Sequence, residues 1–145
     1  MTYNPNSRGL APSAKQVGSL RSNQTGSTIP RGVPVKLTSS GLDLMDVSVE
    51  TDIDAYAGVL AADTLDLSTG TLVGSGVVEN ITTAFAVGSI VYINKVGLLT
   101  NVKPSIGVNG FGTGDFIVKV GMIAQNNDNP SNKDLLVQTQ VMGQL

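Results

Sequence analysis

Cysteine, histidine and tryptophan are absent from the 145 residues. Without cysteine there is no disulfide framework, no thiolate nucleophile and no thiolate metal ligand. Without histidine there is no imidazole general base and no imidazole ligand, which removes the commonest routes to acid–base and zinc chemistry. Three Tyr and three Phe are the only aromatic residues, too few to suggest an aromatic cage or a sugar-stacking platform. Charge is also scarce. Only 14% of the residues are charged, against about 25% in ordinary domains. With a net charge of −2, no nucleic-acid partner is expected. No apolar run approaches the ~18–20 residues of a membrane span. The stretch Met1 to Arg8 lacks the apolar core of a secretory signal, so neither a membrane partner nor a signal is expected.

What is present is apolar but neutral: 41% hydrophobic residues with 17 glycines and abundant Ser, Thr and Asn. Such a surface is cheap to desolvate against another protein. The few charges are segregated. Residues 1–36 hold Arg8, Lys15, Arg21, Arg31 and Lys36 and no acid, while 43–79 hold eight acids, from Asp43 to Glu79, and no base. A basic arm and an acidic stretch in one chain suggest contacts between copies or with an acidic partner surface.

The pattern along the chain divides it at about residue 30. In residues 1–30, Gly9, Pro12, Gly18, Gly26 and Pro30 punctuate a polar sequence, and Leu10, Val17 and Leu20 stand as isolated apolar anchors. This reads as an extended N-terminal arm that carries partner-binding residues Arg8, Leu10, Lys15, Val17, Leu20 and Arg21. Residues 31–145 read as the folded body. Short alternating or apolar runs recur there every 8–14 residues or so between Gly-rich turns: 33–37, 42–49, 56–62, 77–82, 89–94, 98–102, 115–124 and 135–141. No stretch sustains a helical period over three turns; at most, helical turns are expected at 65–68 and 82–87. The fold class is therefore all-β, a small barrel or sandwich of about eight short strands. The expected core comprises Val35, Leu37, Leu44, Val59, Leu60, Val78, Ile90, Tyr92, Ile117, Val118, Val120, Ile123 and Val137.

Chemistry finds little support. A serine nucleophile has no histidine to activate it, and no Gly-x-Ser-x-Gly elbow is present. Asp52 and Asp54, expected on one strand face, and Asp63 and Asp66 are the closest approach to paired carboxylates or to an oxygen-rich cation site, but no fuller run of oxygen ligands accompanies them. They read as solvated loop edges. The glycine-rich stretch 107–114 leads into a strand rather than a helix and lacks the Gly-Lys-Ser/Thr of a phosphate loop. It reads as a flexible hairpin or surface loop; the alternative is a contact loop with an exposed Phe111 at its tip. No catalytic residue, metal site or cofactor is expected.

Two stretches carry a resemblance. Ile29-Pro30-Arg31-Gly32-Val33-Pro34-Val35-Lys36-Leu37 is similar to the Gly-x-Pro-Val opening strand of small bacteriophage capsid decoration (cement) proteins. Gly88 to Asn94, then Gly97 to Thr100, then Val120-Gly121-Met122-Ile123-Ala124 and a closing strand resemble their C-terminal half. The resemblance covers about residues 29–145. It implies a non-enzymatic β-rich virion protein on the capsid exterior, a homotrimer that binds the major capsid protein and staples neighbouring subunits. The alternative is a tail, baseplate or fibre-associated β module with a receptor-binding or connector role.

Overall fold

The computed structural model describes residues 22–145. Among these residues nine strands form two antiparallel sheets. The smaller sheet contains β1 (Pro34–Leu37), β2 (Leu42–Leu44), β3 (Tyr56–Leu60) and β4 (Leu72–Val73) in the order β2-β1-β3-β4. The larger contains β5 (Ser75–Ile81), β6 (Ile90–Ile93), β7 (Leu99–Thr100), β8 (Phe116–Gln125) and β9 (Lys133–Gln144) in the order β5-β9-β8-β6-β7. Only Gly74 separates β4 from β5, so the chain passes from one sheet to the other in a single step. The expected all-β fold is present, as a two-sheet sandwich.

The main core lies between the sheets. Met45, Val47 and Val59 from the smaller sheet and its flank meet Val78, Val91, Ile93, Val118, Val120, Ile123, Leu135 and Val137 from the larger. Strand alternation supplies this face. In β3, however, both Val59 and Leu60 are fully buried, although neighbours on a strand point to opposite faces. Val59 enters the main core. Leu60 enters a second cluster with Ile29, Val33, Val35, Leu42 and Leu72. The small sheet is thus covered on both faces, and residues 29–33 supply part of the outer cover.

Several expectations change. The body does not begin at residue 31: Ser22 bridges Thr69, Asn23 bridges Leu42 and Ile29 bridges Thr64, so 22–30 is packed structure rather than the end of an arm. No helix forms at 65–68 or 82–87; among the described residues a single helix, α1 (Glu50–Asp54), forms instead. Of the expected core, Leu37, Leu44, Ile90 and Ile117 are only half-buried. Ile117 and Val118 are neighbours on β8, and with Val118 and Val120 facing the core, alternation turns Ile117 to the other side. At Gly121 a Cβ would lie 1.8 Å from the Leu136 carbonyl oxygen, so only glycine permits this approach of β8 to β9.

Candidate interaction surfaces

The titratable side chains are largely engaged in holding the fold. Asp52 and Asp54 do not share a strand face but lie in α1, with Asp54 exposed. The buried Asp52 carboxylate accepts from Lys36 Nζ and from the Asp46 amide at 2.9 Å. Asp63 and Asp66 do lie at loop edges, and each accepts from a backbone amide of the N-terminal segment: Arg31 N at 2.8 Å and Gly26 N at 2.9 Å. Asp115 is buried and accepts from Lys95 Nζ and from the Gly112 amide, both at 2.8 Å. The Lys95 bond, followed by the Gly112 amide, holds its carboxyl below the usual 3.8. Asp46 is likewise lowered, by the hydroxyl and amide of Ser48. Tyr56 shares a 2.7 Å hydrogen bond with Thr139, joining β3 to β9, and burial raises its phenol above 10.0. Among the described residues no group of three or more acidic side chains converges as a metal-ligand set.

Phe111, the candidate exposed tip, is instead in the main core, 4% exposed. Lys95 Nζ lies 5.9 Å above its ring. Burying one of only three phenylalanines yields more stabilisation than displaying it, so the glycine-rich loop folds inward around it. The arm residues Arg8, Leu10, Lys15, Val17, Leu20 and Arg21 lie outside the described residues.

Two surfaces remain. The first is the place where the chain enters the body. Asn23 is fully buried; its Nδ2 donates to Ser27 O at 2.6 Å and Thr64 O at 2.9 Å, and its Oδ1 accepts from the Thr25 amide and hydroxyl. Backbone bonds from Asn23 N to Ser68 O and from Leu67 N to Asn23 O complete the clamp. This arrangement holds Leu67 in the left-handed region, at φ 66°, a conformation leucine rarely adopts without such constraint. Leu65 and Leu67 are 62% and 69% exposed beside this root. Sequence reasoning missed Asn23; the Asn-x-Thr-Gly string, an Asx-turn former, was the available signal.

The second surface is the outer face of the larger sheet. Val77 pairs with Leu136, Leu136 with Met122 and Met122 with Ile90. These four side chains form one apolar row across β5, β9, β8 and β6, flooring a shallow open depression of about 400 Å³. Val77, Met122 and Leu136 are 48%, 38% and 38% exposed. No family model, curated protein or solved structure matches the chain.

Proposed function

We propose that this protein is a non-catalytic structural component of a virion, a decoration protein that binds the outer surface of an assembled phage capsid and staples neighbouring major capsid subunits. The observation that carries the reading is the clamped root. A fully buried asparagine and four loop hydrogen bonds fix the chain at Ser22–Asn23, directly after a basic, acid-free sequence with spaced apolar residues. A tether needs a root that does not yield, and the clamp supplies one. Arg8, Lys15 and Arg21 would speed and orient the encounter, while Leu10, Val17 and Leu20 would govern release. The exposed Leu65 and Leu67 add an apolar contact next to the root. Fixing backbone on binding costs roughly 1–2 kcal/mol per residue, which several tethered copies offset through effective concentration. The neutral composition and the use of most described carboxylates as internal hydrogen-bond acceptors fit a protein that works by contact.

The test is cosedimentation with capsid shells that lack the protein, comparing the full chain with a chain beginning at Ser22. The truncated chain should keep its thermal transition and lose most of its binding. Equal decoration by both chains places attachment on the β body and removes the arm's role. Binding to isolated tails or to host cells, with none to shells, replaces this reading with the tail or receptor-binding one.

A further inference from the structure

The outer face of the larger sheet is not consumed by the attachment just described, because the root and its cover lie on the smaller sheet. Its apolar row spans three strand spacings, about 14 Å. Beside the row stand two charges. Glu79 follows Val77 by two positions on β5 and is exposed. Lys119 precedes Met122 on β8 and lines the same depression. Among the described residues neither side chain takes part in an ion pair.

The geometry of these two charges identifies a partner. β5 and β8 both run antiparallel to β9, so they are parallel to each other. Glu79 therefore lies beyond the apolar row in the strand direction and Lys119 before it, on strands either side of β9. The midpoint between them falls at the row's β9 member, Leu136. A two-fold axis lying in the face, passing over Leu136 and perpendicular to the Lys119–Glu79 line, brings Lys119 of one copy over Glu79 of the other, twice, and makes the two apolar rows cross at Leu136.

We propose that this face is an isologous interface with a second copy of the same chain, with Leu136 at its centre, Val77 and Met122 on either side of it, and reciprocal Lys119–Glu79 pairs at its rim. The arrangement is self-complementary, as two-fold interfaces must be, and it has an apolar centre and a charged rim. It is tested on the purified protein without particles, so it stands apart from capsid attachment, and it puts a two-fold dimer in place of the homotrimer that the resemblance implies.

Sedimentation equilibrium of the full chain should give a dimer at tens of micromolar. Leu136→Asp should yield monomer. Glu79→Lys and Lys119→Glu should each weaken association roughly ten-fold or more, because every dimer then holds two like-charge contacts. An equimolar mixture of these two variants should recover association, since both rim pairs are attractive in the heterodimer. The double variant Glu79→Lys/Lys119→Glu should recover it as a homodimer. Each variant's thermal transition by circular dichroism reports folding; if Leu136→Asp unfolds, the two charge variants, both at non-core positions, carry the test alone. A wild-type monomer, a trimer, or a dimer indifferent to the charge exchanges overturns the proposal.

Discussion

Among the described residues, the smaller sheet is covered on both faces and the larger on one. The difference does not lie in the strands alone. β3 carries apolar side chains on both faces, and Leu60, Val35 and Leu42 would stand in water had residues 29–33 not closed over them. β5, β8 and β9 also carry apolar residues on their outer face, Val77, Met122 and Leu136, but among the described residues no segment closes over these. Covered apolar surface stabilises the fold, at roughly 25 cal/mol per Å². Uncovered apolar surface contributes to association instead. The same residue types therefore do different work on the two sheets.

The largest expected break in this comparison is Leu60→Ala. The side chain is fully buried between β3 and the N-terminal cover, and its loss should cost about 2–5 kcal/mol in urea unfolding. Leu136→Ala on the open face should change monomer stability by no more than roughly 0.5 kcal/mol. Comparable costs at the two sites would mean that the larger sheet's outer face is covered after all.

A smaller effect sharpens the role of the clamp. Asn23→Ala leaves the Ser27 and Thr64 carbonyls and the Thr25 donors without their partner, and should cost roughly 1–3 kcal/mol. The loss should be local. The amides of Ile29 and Thr64, which bond each other's carbonyls at 2.9 Å, should lose hydrogen-exchange protection before those of β8. Uniform loss across both sheets would show that the cover and the sandwich unfold as one unit.

The smallest effect concerns acid. Asp115 has a carboxyl held below its ordinary value, first by Lys95 and then by the Gly112 amide. A lowered folded-state value means the stabilisation is complete above about 3.8 and is lost as the pH falls through the folded value. Asp115→Asn should cost ~1 kcal/mol at neutral pH and flatten the decline in stability below pH 3.8. The smaller sheet's Lys36–Asp52 pair should remain intact in that variant. An unchanged acid limb in urea titrations would exclude Asp115 as its source.

Much of the architecture was legible in the residues. Alternation and Gly-rich turns located the strands, and nine of the thirteen residues expected in the core, from Val35 to Val137, are buried there. The failures have physical causes. The segment 22–30 looked like arm because its fold is written in one asparagine's hydrogen bonds rather than in apolar periodicity. Phe111 looked like a tip because glycines surround it, yet burial in a core otherwise built largely of aliphatic residues outweighed the loop's freedom. α1 is a single turn, too short to show a helical period.

Local sequence thus determined which stretches extend, where they turn, and that no imidazole or thiol chemistry is available. These depend on side-chain type and on a period of two along the strand. Only the tertiary structure decided which apolar face is closed and which is open, that Asp63 and Asp66 serve backbone amides of the N-terminal segment, and that Val77, Leu136, Met122 and Ile90 form one row. Those are matters of register and crossover between paired residues up to 63 positions apart in the chain, and β-bulges reset that register at single residues without a sign in local composition.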